Sequence, residues 1–370
     1  MLAPGIMRRY NDLILAALLV GAVFAAQGQQ TLHRDSSGST STAQSAPGPA
    51  PSLTVDTDPV RSPETGGPSA NGAPLGKQGG NYVLRANVNE VVLNATVLEG
   101  NRVVPDLKKE DFQVYEDGVR QTILSFQHTD LPVSMGLVID NSGSMYQKRP
   151  AVNRAALDLV QASNPQDQAF VVNFSDEAFL DQNFTSDVNK LRDGLSHIDS
   201  RGGTALYDAI VASADKLVED GKRPKQVLVV ITDGDDNAST LTLEQTIRRV
   251  QDLSGPVIYS IGLLYGDEMS RAEVRHARRA LEMLSEMTGG IAFFPKSLDQ
   301  VDEITAEVAR DIRNQYTIGY RSTKPMSEPG FRRVEVTAEA KGLGKLTVRT
   351  RTGYFPVTPA AKQVAETNGQ

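Results

Sequence analysis

Between about residues 130 and 313 the chain alternates short apolar runs with amphipathic stretches. Val133–Ile139, Ala169–Asn173, Gln226–Ile231, Pro256–Ile261 and Ile291–Phe294 read as strands, with Ala178–Asn183 as a short antiparallel partner of the second. Val152–Ala162, Val188–Ile198, Ala205–Val218, Arg271–Met287 and Leu298–Arg313 carry helical spacing. A further helix opens at Thr242, where Gln245 three residues on completes a capping box, and Gly289-Gly290 closes the 271–287 helix. Strands separated by helices predict an α/β class: a doubly wound, mostly parallel, Rossmann-like sheet covered on both faces. Ligands of such sheets bind outside the carboxyl ends of the strands.

The flanks follow a different rhythm. Residues 82–88, 90–99, 111–117 and 119–127 alternate apolar and polar positions, as half-buried strands do, with turn signals at 100–102 and 116–118. The same alternation returns at 315–321, 331–340 and 345–355. A unit of about 50 residues buries little core alone, so N-terminal strands at 81–129 and C-terminal strands at 314–357 are expected to pair into one β-sandwich. Two separate small sheets are the alternative. Residues 27–80 are rich in Ser, Thr, Pro, Gly, Ala and Gln and are expected to form a disordered linker, as is the tail at 358–370.

The first 26 residues read as a secretory signal peptide. Arg8 and Arg9 precede the uncharged apolar run Leu13–Ala26, and Val23-Phe24-Ala25 offers a small-residue cleavage site. The run is shorter than the roughly 20 residues that span a bilayer. An exported location, periplasmic or extracellular, follows. An uncleaved N-terminal anchor is the alternative, and the membrane enters in no other way.

Composition removes several classes of function. The 370 residues include no Cys, so there is no disulfide framework, thiolate zinc site or thiol nucleophile. The four His (His33, His128, His197, His276) show no metal-ligand spacing. A net charge of −7 argues against nucleic acid as a partner.

Three oxygen-rich turns carry the candidate chemistry. DNSGS at 140–144 and TDGDD at 232–236 each end an apolar strand, and GGT at 202–204 opens a helix. Asp140, Ser142, Ser144, Thr204 and Asp233 are all hard oxygen donors, suited to Mg²⁺ foremost, with Mn²⁺ or Ca²⁺ as alternatives. Two carboxylates roughly neutralise a divalent ion, and three hydroxyls add no charge. A coordination position is then left for an acidic side chain from a protein partner. Each residue also has a plain structural reading: Ser142 and Ser144 as turn residues, Thr204 as a helix N-cap.

The DxSxS spacing, the threonine of GGTALYDA and the aspartate of ITDGDD resemble the metal-ion-dependent adhesion site of von Willebrand factor A domains. The resemblance covers about 130–313. It implies that Ser142, Ser144 and Thr204 coordinate the ion, and that Asp140 and Asp233 do so directly or through water. It also implies that ligand capture can shift the last helix, here running straight into strand 315–321. EDFQVYEDG, QYTIGY and RTGYFP are similar to a bacterial secreted subgroup with strands on both sides of the A domain. The expected function is therefore an exported, non-enzymatic adhesion module.

Rival classes meet obstacles in the residues. An EF-hand-like loop is imitated by Asp233, Asp235, Asn237, Ser239 and Glu244, but Ala238 replaces its glycine and a strand precedes it. A serine hydrolase lacks G-x-S-x-G. A Mg²⁺-dependent phosphoryl-transfer enzyme remains an alternative. It wants a second Asp where Ser142 stands, or a Lys after a later strand that IYSIGLLYG does not offer. A purely structural envelope scaffold is the other.

Overall fold

The structure is a computed structural model that describes residues 53–55, 90–197, 200–253, 255–266 and 269–356. The signal segment, most of the linker, the strand expected at 82–88 and the tail lie outside the described residues. In chain order the strands are β1 (Thr54–Val55), β2 (Glu90–Glu99), β3 (Arg102–Val103), β4 (Phe112–Glu116), β5 (Val119–Gln127), β6 (Val133–Asp140), β7 (Gln168–Phe174) and β8 (Ala178–Thr185). They continue with β9 (Lys225–Thr232), β10 (Val257–Gly262), β11 (Ala292–Phe293), β12 (Tyr316–Arg321), β13 (Arg332–Ala338), β14 (Leu346–Arg349) and β15 (Gly353–Tyr354). The α-helices are α1 (Arg149–Gln161), α2 (Val188–Ser196), α3 (Leu206–Asp220), α4 (Leu243–Asp252), α5 (Arg271–Thr288) and α6 (Val301–Arg313).

The middle of the chain forms the expected doubly wound sheet, in the order β1-β8-β7-β6-β9-β10-β11. β6, β7, β9, β10 and β11 run parallel, and β8 pairs antiparallel with β7 as its sequence suggested. Central strand β6 is buried at every position, which a parallel strand covered on both faces requires. Its alternate residues feed two cores. Met135, Leu137 and Ile139 pack with α1, α2 and α6, while Val138 packs with α3, α4 and α5. α4 begins with the capping box of Thr242 and Gln245, and α5 ends on Gly289 in the left-handed conformation that only glycine adopts cheaply. Such a cap is worth about 1 kcal/mol.

Within the segment expected to be a flexible linker, Thr54–Val55 pairs in parallel with the edge strand β8, and Leu53 packs against the apolar core beside it. Covering an exposed edge in this way satisfies backbone groups that would otherwise face solvent. Two residues are too short for any periodic pattern, which is why the sequence concealed the strand.

The two flanks do combine into one β body, but not as two stacked sheets. The strands form one antiparallel path, β14-β2-β12-β5-β4-β13-β15, with β3 added on β2. Leu93 of β2, Val114 of β4, Ile318 of β12 and Val336 of β13 share a single core, so the sheet curls over itself and closes on its own apolar face. A bulge between Gly319 and Tyr320 interrupts the register of β12 against β5, and bulges bend a strand. The stretch 345–355 divides into β14 and β15, and GLGK at 342–345 lies in the turn before β14.

The last helix is pinned where the two sheets meet. Tyr259 of β10 donates to Asp311 Oδ2 of α6 at 2.5 Å, and Arg349 of β14 donates to Asp311 Oδ1 at 2.5 Å. Gln315, between α6 and β12, donates to the Tyr259 hydroxyl at 3.1 Å.

Candidate functional site

The five residues singled out from the sequence come to one end of the parallel sheet. Asp140 is the last residue of β6, and Asp233 follows the last residue of β9, the strand beside it. Thr204 lies just ahead of α3. Asp140, Ser142, Thr204 and Asp233 are buried, with relative exposures of 0%, 3%, 4% and 4%, while Gly143 and Ser144 open to solvent.

Their side chains meet. Ser142 Oγ and Ser144 Oγ lie 3.2 Å apart, and Ser144 Oγ donates to Asp233 Oδ1 at 2.8 Å. Asp140 Oδ1 accepts the Ser142 N–H at 2.8 Å. Thr204 sits against the TDGDD turn: its Oγ1 is 3.3 Å from where a Cβ would stand on Gly234. A side chain there would press on Thr204 by a few tenths of an ångström.

Backbone contacts between loops make this convergence rigid. Asn141 N–H donates to Phe174 O at the end of β7, and Asn141 O accepts from Arg201 N–H at 3.2 Å. Gly203 N–H donates to Asp176 Oδ1 at 2.6 Å, and Thr204 N–H to Asn237 Oδ1 at 2.9 Å. Gly202 has φ +80°, where a side chain would be strained and would also collide with the Asp176 carboxylate. Beneath the cluster lies the fully buried Arg149, donating to Asn173 Oδ1 at 2.8 Å and Leu195 O at 3.2 Å. Burial pushes its guanidinium down to about 10.

The capping roles open to two of these residues are not taken up. The N-cap of α3 is Ala205, so Thr204 is not the cap. Ser142 stands at the cap of the short 143–145 turn, but its hydroxyl makes no capping bond. The Ser142 and Ser144 hydroxyls are turned toward each other and toward Asp233. The EF-hand imitation also dissolves. Asp235 pairs with His276 at 2.7 Å, Asn237 holds Thr204, and Ser239 donates to Asp236 while its oxygen accepts from the first N–H groups of α3.

Electrostatics set Asp140 apart from an ordinary carboxylate. Burial pushes the Asp140 carboxyl up to about 6, against hydrogen bonds from Thr232 and Ser142 that favour its ionised form, and the nearby Asp233 charge adds to the rise. Two neighbouring buried carboxylates are costly unless a positive charge joins them, and the Lys148 ammonium supplies one at Asp233 only. Among the described residues no group of three or more His, Cys, Asp and Glu gathers. The hydroxyls therefore distinguish this cluster, and hydroxyl plus carboxylate oxygens are the donors a hard divalent ion takes.

Two participants, Thr232 and Lys148, escaped the sequence, and two more, Asp208 and Asp236, show there only as a first-turn acid and as local acidity without a role. Thr232 donates to Asp140 Oδ2 at 2.6 Å, and Lys148 Nζ donates to Asp233 Oδ2 at 2.5 Å. Asp236 accepts from Tyr207 N–H at 3.0 Å, and the Asp208 carboxylate accepts from the Thr240 and Leu241 N–H groups. Together Asp236 and Asp208 tie the 235–241 loop to the start of α3. Thr232 directly precedes a candidate ligand, a signal that was legible. For Lys148 the only signal was its place four residues after Ser144.

Comparison with known proteins finds similarity over the α/β part of the chain. Residues 135–235 match the family model described as von Willebrand factor type A domain. β10, β11, α5 and α6 continue the same sheet beyond the matched stretch. The calcium-activated chloride channel regulator 3A-1 of Mus musculus is 31% identical over 168 residues, covering 43% of this chain and 17% of that protein. The match thus takes in less than a fifth of that relative's length. Among solved structures, a von Willebrand factor type A protein from Catenulispora acidiphila aligns with TM-score 0.43 at 13% identity, over 65% of this chain and 73% of that one. The vWF domain of a type V pili tip protein from Porphyromonas gingivalis aligns with TM-score 0.41 at 12% identity, over 50% and 95%.

Proposed function

From the match of residues 135–235 to the von Willebrand factor type A domain and the cluster at the strand ends, we propose that this chain is an exported, non-enzymatic protein-binding module that captures a partner through a divalent cation. Asp140, Ser142, Ser144, Thr204 and Asp233 would hold the ion, Mg²⁺ foremost. When bound, the ion supplies an electrophilic position that an Asp or Glu carboxylate of a protein partner can fill.

One observation carries this reading: two buried carboxylates lie with the linked hydroxyls of Ser142 and Ser144, and with Thr204 against the neighbouring turn, at the strand ends where such sheets bind ligands. The chain's own residues have clear tasks. Asp140 and Asp233 balance the ion's charge. The Ser142 and Ser144 hydroxyls offer neutral oxygens, so the local charge is not driven past neutrality. The loops tied together by Asn141, Asn237 and Asp176 keep these oxygens in place, which lowers the cost of ordering them on binding. Gly143 and Ser144 leave the site's outer face open to the partner. Export is supported by the N-terminal sequence, and no described helix is long and apolar enough to cross a membrane.

The test is calorimetric. Mg²⁺ and Mn²⁺ titrated into the protein should give saturable heats, and Asp140→Ala should give none. Equal heats from both proteins would remove the metal assignment. A partner captured in Mg²⁺ and released by EDTA, and no longer captured once one surface Asp or Glu of that partner is replaced, would establish the docking step.

A further inference from the structure

The Asp233 carboxylate is shared between two kinds of donor. Oδ1 takes the Ser144 hydroxyl at 2.8 Å, and Oδ2 takes the Lys148 ammonium at 2.5 Å. Asp140 is treated differently, since its oxygens take a neutral hydroxyl from Thr232 and a backbone N–H from Ser142. The pairing of Lys148 with Asp233 is not a loose surface contact. The Asp233 side chain is 0% exposed and that of Lys148 only 13%. The ammonium also lies 5.9 Å from the centre of the Tyr265 ring, on the loop that follows β10. Lys148 reaches Asp233 from the same turn that bears Ser142 and Ser144. Met145 N–H bonds to Ser142 O at 3.1 Å and Lys148 N–H to Met145 O at 2.9 Å, winding the turn so that residue 148 returns toward the site.

We infer that Lys148 is a built-in cation that competes with the divalent ion for Asp233, and so sets how tightly this site takes its metal. The inference rests on the ion reading proposed above. A 2+ ion and an ammonium on one buried carboxylate repel each other at short range, where little water screens them. The ion therefore meets a ligand already neutralised and must displace or crowd the lysine, so part of its binding free energy is spent against that contact. Competition of this kind is a coupling between two ligands of one group, commonly worth about 5- to 150-fold in affinity. The consequence is a site whose affinity is lower than its oxygen count alone gives, and which fills only when the ion is plentiful. Lys148 lies in the turn that also presents the exposed Tyr146, so displacement of its ammonium moves positive charge toward the rim where the partner's carboxylate arrives.

The experiment uses the full chain with Lys148→Met, which keeps the apolar stem and removes the charge, and Lys148→Arg, which keeps the charge. Mg²⁺ affinity is read by calorimetry, and thermal stability in EDTA and in saturating Mg²⁺. Lys148→Met is expected to bind Mg²⁺ about tenfold more tightly or better. Lys148→Arg should remain close to the parent. Lys148→Met should also melt lower than the parent in EDTA, where it leaves a buried carboxylate without its cation. That gap should close in saturating Mg²⁺. Unchanged Mg²⁺ affinity in Lys148→Met, with equal destabilisation in both conditions, would overturn the inference and leave the ion site standing, because a merely structural lysine behaves that way. Absence of Mg²⁺ binding in all three proteins would overturn the ion site and this inference together.

Discussion

Glu116 in the curled sheet and Asp233 in the α/β domain are both acids with side chains fully shielded from solvent, and their surroundings could hardly differ more. Glu116 Oε2 accepts the hydroxyls of Tyr320 at 2.8 Å and Tyr354 at 2.9 Å, and Oε1 accepts Ser322 at 2.5 Å with Arg332 at 3.5 Å. Arg332 in turn spends its guanidinium on carbonyls of Lys324, Pro325 and Glu328. Every strong donor and acceptor there is consumed within the chain, and the cluster fastens the 322–332 loop over the core. Around Asp233 and Asp140 the neighbours are chiefly hydroxyls, which keep lone pairs after donating, and one lysine whose ammonium can leave. The rim at Gly143 and Ser144 is open. A buried carboxylate surrounded by a complete donor set is structural, whereas spare oxygens and an open edge are what the proposed ion site needs.

The largest expected effect breaks the closed cluster. Glu116→Leu leaves Arg332 as an uncompensated buried cation. Removing one partner of such a pair costs about 3–5 kcal/mol. Urea unfolding should show a loss of that size, with Mg²⁺ affinity of the folded fraction unchanged. A loss under about 1 kcal/mol would mean the Glu116 cluster tolerates disruption, and the contrast between the two acids would weaken.

Asp233→Asn should act in the opposite sense. In EDTA it keeps the shape of the site and its hydrogen-bonding oxygen but loses the charge of a largely buried ion pair with Lys148, so its stability should fall. In Mg²⁺ the difference should widen. A ligand at about 100 times its dissociation constant stabilises the folded state by about 2.7 kcal/mol, and Asp233→Asn should forfeit most of that gain. Thermal melts of both proteins with and without Mg²⁺ check this. An equal Mg²⁺-induced shift in the two would make Asp233 a structural acid like Glu116.

Much of this contrast was legible in the sequence, though unevenly. The strands and helices of the α/β domain were plain because each apolar run is long enough to reveal its period, and β6, β9 and the capping box of α4 fell where expected. The five oxygen donors were legible because three of them lie in one short spacing at a strand end. Glu116 was passed over as part of a turn signal, yet it falls in step with Phe112 and Val114 on the buried face of β4. The turn itself is Asp117-Gly118, both at positive φ. Lys148 could not be read, because its role depends on a winding of residues 142–148 that no pattern of polarity encodes. The single curled sheet was hidden for a similar reason, since period-2 alternation shows which face is buried but not how the strands are ordered.

Lys225 lies between the two extremes and gives the finest test. It opens β9 with 1% exposure, and its ammonium donates to Ile312 O at the end of α6 at 3.0 Å. Burial pushes its pKa down to about 8 from an ordinary 10.5, with Asp130, Asp167 and Asp311 opposing the shift. Because the folded value is the lower one, the unfolded chain keeps this proton longer. Between about pH 8 and 10.5 the folded state releases it first, so stability from this residue rises with pH across that window and is flat below it. Lys225→Met removes the titration but also abandons the Ile312 carbonyl. The informative quantity is therefore the stability difference between parent and variant at each pH, in which the tyrosine titrations cancel. That difference should shift in the parent's favour by roughly 1 kcal/mol between pH 8 and 9. A difference constant over pH 7 to 9 would show that the three acids hold the lysine charged, and would place Lys225 with Glu116 among the buried charges the chain neutralises by itself.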